Sequence, residues 1–182
     1  RNLRGALQLA EEMSACVLWM DEIEKGLATG DNDGGVSQRV LGTLLTWMAE
    51  RKAPVFLVAT ANQISHLPPE LIRKGRFDEM FFVDLPSIEV RGDIFRIHLA
   101  RRELDPASFD LPALAQASAG FSGAEIEQAV VSALYAAQAR QMAVEQTLLM
   151  HELQVTAPLS VVMAEELEEL RAWAKDRAVM AD

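Results

Sequence analysis

The sequence has 182 residues, of which half are hydrophobic, and carries a formal net charge of −10. This length and composition suit one domain core, or one domain with a small satellite. The negative charge argues against a nucleic-acid-binding surface, and the single cysteine, Cys16, excludes an intramolecular disulfide. No apolar run reaches the roughly 18 residues of a transmembrane helix. We therefore expect a cytoplasmic protein that binds neither nucleic acid nor membrane.

The first half of the sequence alternates between helical and strand patterns, which is typical of an α/β fold. Apolar residues at helical spacing predict helices, and short, fully apolar runs predict strands that are buried on both faces of a parallel sheet. The predicted helices are Asn2–Ser14, Val36–Arg51 and a short one that starts at Pro68. The predicted strands are Ala15–Met20, Val55–Ala59 and Met80–Leu85.

The second half is predicted to be all-helical, since no strand pattern follows Pro86. Its predicted helices are Val90–Arg102, Leu111–Ala119, a long one that opens at Ser122, Thr147–Gln154 and Glu165–Ala178. Ser122 and Glu125 have the spacing of a capping box, in which a hydroxyl and a carboxylate satisfy the first N–H groups of a helix. We expect an α/β domain over residues 1–87 and a helical domain over residues 88–182.

Two acids, Asp21 and Glu22, directly follow the first predicted strand. Ligands of parallel sheets bind past the carboxyl ends of the strands. In P-loop NTPases an Asp at this place holds Mg²⁺. The neighbouring Glu there can polarise the attacking water. A simple cap on the next helix is the alternative for this pair. Asn62 ends the second strand. Its side-chain amide either contacts a phosphate or orients water, or the residue simply forms a turn.

The order of these motifs along the chain resembles that of the AAA family of ATPases. CVLWMDE is similar to the Walker B strand of that family, VFLVATAN to its sensor-1 strand, LIRKGRFD to its arginine-finger segment, and GFSGAEIE to the start of its sensor-2 helix. Within the family, the sequence most resembles an uncharacterised subgroup of bacteria, cyanobacteria and plastids. The resemblance implies a partial P-loop-NTPase-like parallel sheet with flanking helices, followed by an all-α lid.

The resemblance also implies roles for individual residues in ATP hydrolysis. Asp21 would coordinate Mg²⁺, through water, while Glu22 would be the catalytic base and Asn62 would position the attacking water. Arg73 and Arg76 would reach into the site of a neighbouring subunit, although solvated charges at a helix end are the alternative. The implied nucleotide contacts of the lid are His98, Gly123 and Ala124, of which His98 is alternatively a core histidine. The segment Gly30–Gly35 would be the second pore loop.

One motif of the family does not occur in the sequence. There is no G-x-x-x-x-G-K-[ST] phosphate loop (P-loop), whose N–H groups and lysine cradle the phosphates of ATP. We expect that motif, and two further strands, upstream of Arg1, and we expect no ATP hydrolysis by these residues alone. The leading hypothesis is part of an ATP- and Mg²⁺-dependent motor or remodelling ATPase that forms a homo-oligomeric ring, such as a hexamer, and acts on protein. The alternatives are a non-hydrolysing binding or regulatory module and a fragment without independent function.

Overall fold

The computed structural model describes residues 2–27, 35–73 and 75–181. The chain divides into two compact units, with the boundary between Met80 and Phe81. The first unit alternates helices with strands, and the second is built mainly from helices. The predicted pore loop, Gly30–Gly35, lies outside the described residues except for Gly35.

The first unit is built around two parallel strands. Its elements are α1 (Asn2–Glu12), β1 (Cys16–Met20), α2 (Ile23–Leu27), α3 (Val36–Glu50), β2 (Val55–Ala59) and a 3-10 turn (Ile64–His66). β1 pairs with β2 in parallel, with Cys16 opposite Val55 and Met20 opposite Ala59. Because the two strands run in the same direction, the residues that follow them meet at one edge of the sheet.

The two faces of this sheet differ in burial. Leu18 and Met20 pack on a core formed by Leu7, Ile23, Leu27, Leu44, Leu67 and Leu71. On the other face, Val17, Trp19 and Phe56 are 64, 62 and 67% exposed. The prediction that both strands are buried on both faces is therefore wrong for the described residues. The reason is that α1, α2 and α3 supply their apolar side chains to the face of Leu18 and Met20.

Two further predictions for the region around the domain boundary are wrong. Pro68 starts turns rather than a helix, with a hydrogen bond of 2.9 Å from Leu71 N–H to its carbonyl. The strand predicted over Met80–Leu85 is only two residues long, β3 (Phe81–Phe82). Beyond it, the Asp84 carboxylate accepts the N–H of Leu85 at 2.7 Å, and the chain bends at Leu85.

The second unit encloses the larger apolar core of the described chain. Its helices are α4 (Ile88–Ala100), α5 (Leu111–Ala117), α6 (Gly123–Ala139), α7 (Gln146–Val155), α8 (Leu159–Val162) and α9 (Ala164–Ala174). The side chains at its centre are fully buried: Phe95, Leu99, Leu114, Ile126, Val130 and Leu149. The capping box of Ser122 and Glu125 is present at the start of α6, as predicted.

A short strand near the end of the chain completes the second unit. β4 (Val179–Met180) pairs in parallel with β3, contrary to the prediction of no strand after Pro86. Arg171 of α9 donates from Nε and Nη2 to both carboxylate oxygens of Asp84, over 2.8–3.1 Å. This pair links α9 to the segment just after β3, and β4 follows α9 in the chain. A two-residue strand has no hydrophobic period, so the sequence pattern could not reveal it.

Candidate active site

Thr60 joins the carboxyl ends of β1 and β2. Its N–H donates to the Met20 carbonyl, and its own carbonyl accepts from Ile23 N–H, both at 3.0 Å. Its hydroxyl donates to Asp21 Oδ1 and accepts from the N–H of Glu22 at 3.0 Å. Thr60 therefore fixes both acids at the point where β1 ends and α2 begins.

Glu22 has a strained backbone and a paired carboxylate. Its φ of +48° lies in the left-handed region, which costs a residue with a side chain on the order of 1–2 kcal/mol. Such strain is found preferentially at functional sites, where the surroundings hold it in place. Its Oε1 accepts from Asn62 Nδ2 at 3.1 Å. The structure thus brings together Asp21, Glu22 and Asn62, although Asn62 lies 40 positions after Glu22 in the sequence.

Lys25 places a positive charge beside this cluster. Its Nζ donates to Glu22 Oε2 at 2.7 Å, and its side chain is 68% exposed. The hydrogen bond to Glu22 is the main cause that raises the pKa of Lys25 above its usual 10.5, with smaller contributions from the charges of Glu22, Glu24 and Asp21. The lysine is therefore fully protonated at neutral pH and offsets part of the negative charge at the sheet edge.

The predicted finger arginines lie on the turn around Gly75, whose φ of +91° is left-handed. Arg73 is exposed. Arg76 is half-buried, and its Nη1 donates to the carbonyl of Leu45 at 3.4 Å, a long hydrogen bond. The role of the two arginines stays a prediction.

The predicted lid residues lie on α4 and α6 of the second unit. His98 is largely buried, and its Nδ1 lies 3.4 Å from Glu127 Oε1 and 3.3 Å from Arg102 Nη1. The hydrogen bond from Arg102 is the main cause that holds the pKa of Glu127 below its usual value. His98 therefore has polar partners within its own unit, as expected for the alternative interpretation of a core histidine.

Gly123 and Ala124 form the first turn of α6. A Cβ on Gly123 would meet Ile94 Cδ1 at 3.5 Å, an ordinary contact. Packing within the unit therefore does not require a glycine at this position. Ala124 is exposed. The proposed nucleotide contacts of both residues stay predictions.

Sequence reasoning missed three residues of the site: Thr60, Glu24 and Lys25. Thr60 directly follows β2 and stands two positions before Asn62, and this position was a signal that the sequence offered. Glu24 is 3% exposed, and its Oε1 accepts the N–H of Asn62 at 3.1 Å. No sequence pattern distinguishes this buried acid from a solvated one at the start of a helix.

The side chains at the sheet edge suit Mg²⁺, which takes most of its ligands from water and phosphate, better than they suit a metal ion bound by protein side chains alone. Among residues 2–27, 35–73 and 75–181, no group of three His, Cys, Asp or Glu side chains could hold a metal ion. Mg²⁺ is usually held by one or two carboxylates together with water and substrate phosphates. Asp21 provides an exposed carboxylate at this edge, which leaves room for the water and phosphate ligands that this ion prefers.

Comparison with known proteins decides the family. Residues 1–85 match the family model "ATPase family associated with various cellular activities (AAA)", and residues 108–151 match the "AAA+ lid domain" model. The chain belongs to the AAA family of ATPases. The first match covers the first unit and extends past its boundary at Met80 to residue 85, and the lid match lies within the second unit.

Similar curated proteins carry the name "Uncharacterized AAA domain-containing protein ycf46". The one from Guillardia theta is 42% identical over 95% of this AAA chain, and the one from Trieres chinensis is 44% identical over 95%. The chain spans 35% of the length of each of these relatives. The expected likeness to an uncharacterised AAA subgroup is confirmed.

A solved structure with a similar fold is the crystal structure of the FIGL-1 AAA domain in complex with ADP. It matches with a TM-score of 0.79 at 19% sequence identity, over 96% of this AAA chain and 62% of that one. At this identity the match shows the fold alone. The predicted α/β fold with a helical lid is confirmed. In the part of the chain that the structure describes, no helix has the length and apolar character to cross a membrane.

Proposed function

We propose that this chain acts in an ATP-hydrolysing AAA motor or remodelling ATPase, in which Glu22 is the catalytic base. The contact that carries the proposal is the one between Glu22 Oε1 and Asn62 Nδ2, 3.1 Å apart at the carboxyl edge of two parallel strands. A carboxylate and an amide at this spacing can bind one water together. The carboxylate then accepts a proton from that water while the amide orients it.

Asp21 is proposed to hold Mg²⁺ through water. The hydrogen bond from Thr60 to Oδ1 fixes the carboxylate at the edge, beside Glu22. When bound, the ion would neutralise the negative charge of the ATP phosphates. ATP and its product ADP are the proposed ligands, and His98, Gly123 and Ala124 are the proposed nucleotide contacts of the lid.

Arg73 and Arg76 are proposed to act on the nucleotide of a neighbouring subunit. A finger supplied by the neighbour requires a head-to-tail interface, which closes into a ring when the rotation permits. The hydrogen bond of Arg76 to the Leu45 carbonyl is long, so the side chain can exchange it at little cost. The proposed assembly is a homo-oligomeric ring, and a protein substrate is proposed by family analogy alone.

We further propose that the 182 residues alone do not turn over ATP, since they contain no P-loop motif. A cytoplasmic location stays a prediction. If the full-length protein binds ATP without turnover, the alternative of a regulatory module replaces the proposal.

The test is the Glu22→Gln variant of the full-length protein, which keeps the shape of the side chain but removes its basicity. We expect ATP turnover to fall at least about 100-fold, as for loss of a general base, while ATP binding stays unchanged. Glu50→Gln is the matched control, because Glu50 is an exposed acid at the end of α3 in the same unit. Wild-type turnover by Glu22→Gln would refute the assignment of the base.

A further inference from the structure

Glu24 is a buried acid that the proposed chemistry does not use. It lies in α2, two residues after Glu22, and is 3% exposed. Its Oε1 accepts the backbone N–H of Asn62 at 3.1 Å. Its Oε2 is buried and has no hydrogen-bond partner among residues 2–27, 35–73 and 75–181.

Stability does not explain an acid at this position. A buried polar atom without a partner destabilises a protein by about 1–3 kcal/mol. An apolar side chain of similar volume is therefore expected to be at least as stable here. What Glu24 provides instead is a fixed acceptor for one N–H group, and that group belongs to a proposed site residue.

The acceptor sets the direction of the Asn62 side chain. Asn62 lies three residues beyond the end of β2, in a segment that no strand pairing holds in the described residues. The Glu24 carboxylate accepts the backbone N–H of Asn62, and the Glu22 carboxylate accepts its side-chain amide. Both the backbone and the side chain of Asn62 are therefore held, by α2 and by the turn before it. Loss of the Glu24 contact would leave the amide free to turn away from Glu22.

We propose that Glu24 is a positioning residue, which holds the Asn62 backbone so that the Asn62 amide and the Glu22 carboxylate face one water. The inference rests on the proposed function, since it assigns Glu24 a part in the same hydrolysis. It acts through Asn62 and touches neither nucleotide nor water itself.

The first test compares Glu24→Met and Glu24→Gln in the full-length protein. Met keeps the length of the side chain without an acceptor, whereas Gln keeps an oxygen that can accept the Asn62 N–H. We expect kcat of Glu24→Met to fall about 10- to 100-fold, as for a small misplacement of a reacting group. The KM for ATP and the Tm should stay close to wild type, and Glu24→Gln should retain kcat within about threefold.

The second test places Glu24→Met in an Asn62→Ala background. If Glu24 acts through Asn62, the added substitution changes kcat by less than about twofold, because coupled residues are not additive. A further drop as large as in the wild-type background would refute the inference. Unchanged kcat of Glu24→Met would refute it equally. If Glu24→Met does not fold, Glu24→Asp decides: it withdraws the acceptor by one methylene, and wild-type kcat of that variant refutes the inference.

Glu22→Gln in the same assay separates the two proposals. If Glu22→Gln loses turnover and Glu24→Met does not, the positioning role fails and the proposed function stands. If Glu22→Gln keeps wild-type turnover, the proposed function fails, and the positioning role fails with it.

Discussion

The two units of the chain use their buried groups differently. In the first unit, the end of the β1–β2 pair holds a buried acid, Glu24, and a strained acid, Glu22, while one sheet face exposes Trp19 and Phe56. In the second unit, large apolar side chains such as Phe95 are fully buried. The first unit therefore places a cluster of acids beside an exposed sheet face, whereas the second unit holds the larger apolar core of the described residues.

The polar contacts at the sheet edge of the first unit join residues that are far apart in the sequence. In the first unit, Thr60 and Asn62 contact Asp21, Glu22 and Glu24 across 38–40 residues of sequence. The second unit combines contacts at helix ends, such as Ser122 with Glu125, three residues apart, with long-range ones, such as Arg171 with Asp84, 87 residues apart. Long-range polar contacts fix the positions of side chains, and local ones stabilise the ends of helices.

The largest expected contrast concerns two phenylalanines. Phe95 is 0% exposed and Phe56 is 67% exposed. We expect Phe95→Ala to lower the free energy of unfolding by about 3–5 kcal/mol, because it leaves a cavity. Phe56→Ala should change it by less than about 0.5 kcal/mol. Thermal and urea unfolding of the chain measures both changes. Equal losses of unfolding free energy in the two variants would contradict the difference in burial between the two phenylalanines.

Two glycines provide a smaller contrast. Gly120 and Gly75 both have left-handed φ angles, +81° and +91°. A Cβ at Gly120 would overlap Ser160 Oγ, whereas a Cβ at Gly75 meets nothing within 4 Å. We expect Gly75→Ala to cost about 1–2 kcal/mol from backbone strain and Gly120→Ala about 1–3 kcal/mol more from overpacking. Unfolding curves of the two variants test this, and a larger loss for Gly75→Ala would contradict it.

The smallest expected effect is a pH dependence in the second unit. The hydrogen bonds from Arg171 are the main cause that holds the pKa of Asp84 below its usual 3.8. A lowered carboxyl pKa stabilises the folded state above the unfolded pKa, and that stability is lost as pH falls through the folded pKa. Because Arg171 is 46% exposed, we expect less than about 1 kcal/mol.

Asp84→Asn is the variant that isolates this effect. Urea unfolding at pH 7 and pH 3 should show a loss of stability in the wild-type chain that is smaller in the variant. Identical pH dependence of the two chains would show that the pair contributes nothing.

The spacing of hydrophobic residues along the sequence was sufficient to predict most elements of the fold. β2 was predicted with its observed ends, Val55 and Ala59, and α3 differs from its prediction by one residue at its end. These elements have strong local patterns, either a fully apolar run or apolar residues every three to four positions. The pairing of β3 with β4 was missed because two-residue strands have no such pattern.

The candidate site was predicted less completely than the fold. Asp21, Glu22 and Asn62 were predicted because they lie at or just beyond the ends of apolar runs, where the site of a parallel sheet lies. Thr60 and Glu24 were missed because their roles depend on the register between β1 and β2, which places residues 38 positions apart in contact. The register between strands that are distant in the sequence is set by tertiary packing, so it cannot be predicted from a local sequence pattern.

The most direct test of the central claim is a double-mutant cycle between Glu22 and Asn62 in the full-length protein. The rate constant kcat for ATP would be measured for wild type, Glu22→Gln, Asn62→Ala and the double variant. If the two side chains act on one water, the double variant should be no slower than the slower single variant by more than about threefold. Multiplied losses in the double variant, or wild-type kcat for either single variant, would contradict the account.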